Sequence, residues 1–207
     1  STVIIAILGP VLGTLADTKG YKKPLFSLFM MLGALGCAAL SLPVPWIVFL
    51  AIFVIAKVGF SGSLIFYDAM LNDVTIDSRM DEISSQGYAW GYIGSCIPFT
   101  LSLLLILFAG KIGISANLAT GIAFIVTSGW WILITLPLLK NYKQKYYIEK
   151  GEKPMVDSFK RIFHAIGSIK KHKYIFLFLL AFFFYIDGVY TIIGMATSYG
   201  KDVGISD

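Results

Sequence analysis

Leu12-Gly13-Thr14-Leu15-Ala16-Asp17-Thr18-Lys19-Gly20-Tyr21-Lys22-Lys23 joins one long apolar run to the next through a short basic loop punctuated by glycine. A glycine leaving a membrane helix lets a neighbouring helix come close, which is the role expected of Gly13. Asp17, at the end of that helix, is placed to pair with Lys22 or Lys23, or to face the positive N-terminus of another helix. Gly20 permits a left-handed turn. An ordinary solvated loop, whose Asp17 only ends a span, would show the same residue types.

Composition decides the broad class. The chain is 57% hydrophobic and 15% aromatic, with only 14% charged residues and a mean hydropathy of +0.78, against roughly 25% charged in soluble domains. This is an integral, all-α membrane protein. Six apolar segments are expected to span, at about residues 1–16, 24–42, 46–67, 87–110, 114–139 and 174–198. The complete ones approach or exceed the ~20 residues needed to cross about 30 Å of hydrocarbon as helix. The first has sixteen residues before Asp17, about 24 Å of helix. It starts at Ser1, so a truncated N-terminus is expected. It makes a poor signal peptide, because it lacks a basic leader and runs directly into a turn.

Basic residues in short loops set the orientation. With alternating spans, fourteen of the 17 Lys and Arg fall on one side: Lys19, Lys22, Lys23, Arg79 and the ten from Lys140 to Lys173. Lys111 and Lys201 fall on the other. The first side is expected to be cytoplasmic, in a multi-pass protein of the cell membrane whose 140–173 loop is inside. The net charge of +5 therefore reflects topology, and no aromatic-basic nucleic-acid motif is present. Cys37 and Cys96 lie within spans and read as small packing residues.

Leu42-Pro43-Val44-Pro45 and Gly110-Lys111-Ile112-Gly113 suit tight outside turns, while the inside connections are longer and polar. The longest divides the chain into 1–139, a 140–173 linker and 174–207. Within the linker, Pro154, Asp157 and Ser158 precede Phe159, Ile162, Phe163, Ile166 and Ile169 at helical spacing, with Lys160, Arg161, His164, Lys170 and Lys171 around them. That pattern predicts an amphipathic helix on the bilayer surface. Gly9 with Gly13, and Gly87, Gly91, Gly94 with Ser95, are small-residue stripes that predict close helix crossings.

Two spans carry charge where charge is expensive. Lys57 sits near the middle of its segment and is a functional candidate by default. At about 100° per residue, Ser61 and Asp68 return to nearly the same face, continuing toward Asn72, so that the stripe can line a water-filled cavity. In the last span Asp187 interrupts a run of aromatics, with Tyr185 and Tyr190 flanking it and Thr191 on approximately its face. Three roles are open to it: proton carrier, partner of a substrate amine, or structural mate of Lys57. A fourth reading makes it purely structural. Arg79, Asp73 and Asp81 are available as charge partners at the loop. Tyr67, Tyr88, Trp90 and Tyr92 fit cavity aromatics or an interfacial belt.

The pattern Gly-x-Leu-Ala-Asp-x-x-Gly-x-Lys-Lys, residues 13–23, resembles the loop between the second and third membrane helices of the major facilitator superfamily. Thr18 and Tyr21 replace two usual basic positions. The resemblance narrows at Gly59-Phe60, at Phe66-Tyr67-Asp68-Ala69, at Arg79 followed by Ser85-Gln86-Gly87-Tyr88-Ala89-Trp90-Gly91-Tyr92-Ile93-Gly94, and at Tyr185-Ile186-Asp187-Gly188-Val189-Tyr190-Thr191-Ile192. These look like the bacterial form of the branch related to vacuolar amino-acid effluxers of autophagy.

The resemblance implies twelve spans in two six-helix halves, of which this chain would supply helices two to seven. It implies that Gly13, Asp17, Gly20, Lys22 and Lys23, with Arg79 as a partner, form a cytoplasmic gate. Lys57, Ser61, Tyr67, Asp68, Trp90, Tyr185, Asp187, Tyr190 and Thr191 are the substrate or coupling candidates. The expected function is secondary transport of a small polar solute, with an amino acid as the candidate, by alternating access, with protons as one coupling ion. Its partners would be the solute, the bilayer and the missing helices of a longer chain. The rival is a membrane scaffold or sensor that binds lipid or a protein through its basic linker. No phosphate loop, metal pair or nucleophile elbow is present, so no cofactor, metal or enzymatic activity is expected.

Overall fold

The computed structural model describes residues 2–149 and 173–204, and these are helical almost throughout. In a bilayer every backbone polar group has to be satisfied within the protein, and long apolar runs do this as helices. In chain order the helices are α1 (Thr2–Ala16), α2 (Lys22–Ala39), α3 (Trp46–Val74), α4 (Met80–Leu107), the single turn α5 (Ala109–Ile112), α6 (Ala116–Asn141) and α7 (Lys173–Asp202). A 3-10 turn, Asp77–Arg79, leads into α4.

Among the described residues, four helical segments are long and apolar enough to cross a membrane: Trp46–Val74, Asp77–Leu107, Ala116–Asn141 and Lys173–Ala196. Six spans were expected. The other two form helices, α1 of 15 residues and α2 of 18. The helices around the loop at 75–79 also run further than apolarity alone predicts. Polar residues from Asp68 to Asp73 continue α3, and Met80 to Gln86 begin α4. At a membrane surface such residues are solvated while the helix goes on, so hydropathy marks the edge of the bilayer and not the end of the helix.

The chain divides into two compact units, Ser1–Phe159 and Lys160–Asp207. In the first, α2 packs along α3, α1 lies against α3, and α6 contacts both α2 and α4. Its core gathers Leu12, Ala16, Phe26, Met30, Ala34, Phe66, Met70 and Tyr142. In the second, α7 carries its own ring contacts, Phe178 with Phe182 and Phe183 with Phe184. The amphipathic segment expected at 155–170 lies outside the described residues.

The closest helix crossing is not where the small-residue stripes placed it. A Cβ built on Gly59 would stand 2.3 Å from the backbone nitrogen of Gly33, and one on Gly62 would stand 2.3 Å from the ring of Phe29. Gly36 meets Ala56 in the same manner at 2.8 Å. The backbones of α2 and α3 therefore touch. By contrast, Gly13, Gly87, Gly91 and Gly94 have nothing within 4 Å of an added Cβ, and Gly9 meets only Ile65 at 3.6 Å. A small residue permits an approach, but it does not bring a partner. Across the bundle, buried Ser128 donates to the Ala34 carbonyl at 2.7 Å and fixes α6 on α2.

The two connections expected to lie outside are short in the structure. Residues 40–45 link α2 to α3, and α5 with the left-handed Gly113 (φ 82) links α4 to α6. Ser115 then caps α6 by accepting from the Leu118 amide at 3.2 Å.

Candidate functional site

The loop end of the first unit is organised by one carboxylate. Asp73, in the last turn of α3, accepts at Oδ2 from Lys22 Nζ at 2.7 Å and from the Tyr142 hydroxyl. Its Oδ1 accepts from the backbone amides of Lys145 and Tyr146, each at 2.9 Å. Both oxygens are thus doubly served, which is what a desolvated carboxylate requires. The Lys22 and Asp73 side chains are 3% and 0% exposed. Lys22 also donates to the Ala69 carbonyl at 3.1 Å, one turn earlier on α3.

Tyr142 completes this node from the C-terminal end of α6. Burial first, and then the bond to Asp73 and its negative charge, push the Tyr142 hydroxyl well above its ordinary value. The phenol keeps its proton and remains a donor.

This geometry corrects the pairing expected within the glycine loop. Lys22 reaches across to Asp73, and the exposed Asp17 contributes its backbone carbonyl instead, accepting from the Ile148 amide at 2.7 Å. Gly20 does adopt the left-handed turn, at φ 77. Lys23 enters α2, where its carbonyl accepts from Ser27 at 2.9 Å. Arg79 pairs on the surface with Glu82, at 3.0 Å from Nε, and the two side chains are 58% and 50% exposed. It takes no part in the node. Gly13 faces open space.

A strap formed by residues 143–149 lies along the loop. Thr18 and Ile148 form an isolated parallel bridge, and the Lys19 amide donates to the Ile148 carbonyl at 3.0 Å. The Gln144 side chain donates to the carbonyls of Ala16 and Thr18 at 3.2 and 3.3 Å, and it accepts from the Gly20 amide at 3.0 Å. Lys19 pairs with Glu149 at 2.9 Å and lies over the Tyr147 ring. The hydrogen bond to Glu149 and its charge hold the Lys19 ammonium above its ordinary range.

Among the transport candidates, Lys57, Ser61 and Asp68 do share a face of α3. Its buried face is formed by Ala56, Gly59, Ser63, Phe66, Met70 and Asp73. At about 100° per residue the two sets fall on opposite sides of the helix. Tyr67, beside Asp68, is also exposed. Lys57 and Trp90 line one cleft of about 660 Å³ between α2, α3, α4 and α6, whose wall includes the aromatic rings of Phe53, Phe60, Phe124, Trp130 and Trp131. Gly91 and Gly94 open onto the same space. The Lys57 ammonium lies 5.2 Å from the centre of the Phe60 ring, a favourable placement for a cation next to an aromatic face. Tyr185, Asp187, Tyr190 and Thr191 sit on α7 in the second unit, with Asp187 and Thr191 one turn apart.

Sequence reasoning missed Tyr142, Gln144, Ile148 and Glu149, and it named Asp73 only as an available charge. A partial signal was present. Tyr142 and Gln144 follow α6 directly, where an ordinary solvated linker needs neither a phenol nor a fixed amide. Cys37 turns its thiol to the Phe124 carbonyl and Cys96 to that of Tyr92, and neither is bonded to another sulfur.

A family described as vacuole effluxer Atg22 like matches residues 72–204. The chain is similar to an uncharacterised MFS-type transporter, YxiO, of Bacillus subtilis (strain 168), at 46% identity over 210 residues, covering 99% of this chain and 49% of the relative. It is also similar to autophagy-related protein 22-1 of Penicillium rubens, at 29% identity over 58% of this chain and 21% of the relative. Autophagy-related protein 22 of Botryotinia fuckeliana is 21% identical over 62% of this chain and 25% of the relative. The chain thus spans about half the length of the first of these relatives, and the matched part is a smaller share of the other two. No solved structure matches it significantly.

Proposed function

This chain belongs to the Atg22-like vacuole effluxer family, and from that premise we propose that it forms part of a secondary transporter that moves a small polar solute, an amino acid in the first instance, by alternating access. The observation that carries the reading is the division of α3 into two faces. One is packed tightly enough for backbones to touch, and the opposite one presents Lys57, Ser61 and Asp68. A cation at mid-span is costly against lipid and is tolerated where it faces a cavity that admits water and solute. Asp187, on another span, is the carboxylate this reading assigns to proton coupling.

The loop with Asp17, Gly20 and Lys22 fits a gate on the cytoplasmic side, in a cell membrane where the loop cations are retained inside. Its Lys22 joins α2 to the end of α3 through Asp73, so a movement of either helix is felt at the loop. No step of this reading calls for a catalytic residue or a cofactor.

The test is flux in proteoliposomes that hold the full-length protein, with radiolabelled neutral, acidic and basic amino acids, with and without a pH gradient. Accumulation that depends on the gradient and falls at least tenfold in Lys57→Met supports the reading. Equal, gradient-independent leakage in the protein and in Lys57→Met would remove it.

A further inference from the structure

We propose that the strap, residues 143–149, is a releasable latch on the glycine loop, docked in one access state and peeled away in the other. The inference rests on the transporter reading above and assigns that gate its means of control.

Three observations carry it. First, the strap is held by contacts that can be undone one at a time. The outermost, Lys19–Glu149, has side chains 52% and 73% exposed. Next come the Thr18–Ile148 bridge with its two backbone bonds, and then the Gln144 amide on the carbonyls of Ala16 and Thr18. An exposed pair of this kind contributes little by itself. The order of strength therefore favours peeling from Glu149 inward.

Second, the strap is the first part of the only covalent path from α6 to α7. Within the strap, a pull arriving from the α7 side of the chain reaches Glu149 and Ile148 before Gln144.

Third, peeling changes the interior. The amides of Lys145 and Tyr146 supply both bonds to Asp73 Oδ1. Their removal leaves Asp73 held by Lys22 and Tyr142 alone and frees an oxygen that water must then serve. The docked strap thus seals the Lys22–Asp73 pair from solvent, and the released strap admits water to it. Loop, end of α3 and connection change state together.

The experiment uses Lys19→Cys with Glu149→Cys in the full-length protein, in a Cys37→Ser, Cys96→Ser background. In proteoliposomes the pair is joined by a short thiosulfonate linker that dithiothreitol cleaves. Amino-acid flux, using the radiolabelled mixture, is expected to fall at least tenfold on linking and to return on cleavage. Spin labels at the same two positions are expected to report two distances by electron double resonance, one docked and one longer. Gln144→Ala should enrich the longer one.

A single short distance under all conditions of pH and amino acid, with full flux in the linked protein, would overturn the latch. Failure of the linker to form under any condition would overturn the docking itself. If the unlinked protein moves no amino acid, the transport reading fails, and the latch is then decided by the distances alone.

Discussion

The two sides of α3 make opposite use of small residues. Toward α2, Gly59 and Gly62 let backbone and ring come within a distance that no Cβ tolerates, and the same side ends in the buried Asp73. Toward α4, Gly91 and Gly94 face an open cleft, which Lys57 also lines. The α4 stripe has the spacing that signals packing, yet the crossing itself is built from Gly33, Gly36, Gly59 and Gly62. Spacing within one helix tells which face can be approached. Contact depends also on a complementary groove in a neighbour, and that neighbour lies elsewhere in the chain.

The largest effect is expected at the loop end of the closed side. Asp73→Ala leaves Lys22 buried without its partner, and breaking such a pair costs about 3–5 kcal/mol. Thermal unfolding of the full-length protein in detergent should show a marked fall in Tm, and Lys22→Met should behave alike. The double variant Lys22→Met with Asp73→Ala should lose less than the sum of the two. Additive losses would mean that the two residues do not act as a pair.

Gly59→Ala comes next. Its Cβ would meet the Gly33 backbone, which cannot swing aside as a side chain does, so overpacking of about 1–3 kcal/mol is expected. Gly91→Ala, on the open side, should change stability by less than about 0.5 kcal/mol, as for a substitution without new contacts. Equal effects of the two alanines would erase the contrast between the sides.

Lys57→Met sharpens the comparison from the other direction. Its ammonium touches only the Phe60 ring among the described contacts, so the loss of stability should stay below about 1 kcal/mol. Flux, by the proposed function, should fall at least tenfold. A Tm loss as large as that of Asp73→Ala would place Lys57 on the structural side instead.

The smallest effect is a pH dependence. The Tyr142 hydroxyl titrates above its ordinary range in the folded protein. Its contribution to stability is therefore complete below about pH 10, the unfolded value, and is lost as pH rises from there toward the folded one. Melting profiles should show less alkaline loss in Tyr142→Phe than in the parent above pH 10, and parallel behaviour from pH 6 to 9. A difference that appears near neutral pH would argue against a protonated, buried phenol.

The amino-acid sequence by itself determined the helical membrane class, the long apolar spans, the short turns and the left-handed Gly20. Each of these follows from local chemistry: an apolar run satisfies its backbone as a helix, and a glycine admits a positive φ. It also placed Lys57, Ser61 and Asp68 on one face, because a helical period is a local property. Only the tertiary structure decided that Lys22 seeks Asp73 and not Asp17, that α2 meets α3 at Gly33 and Gly59, and that the residues after α6 return to cover the loop. The ion pair joins positions 51 residues apart, and the contact of Gln144 with Ala16 joins positions 128 apart. Which of several equally suitable partners a charge or a glycine finds depends on how the helices are arranged around one another, and no window along the chain contains that arrangement.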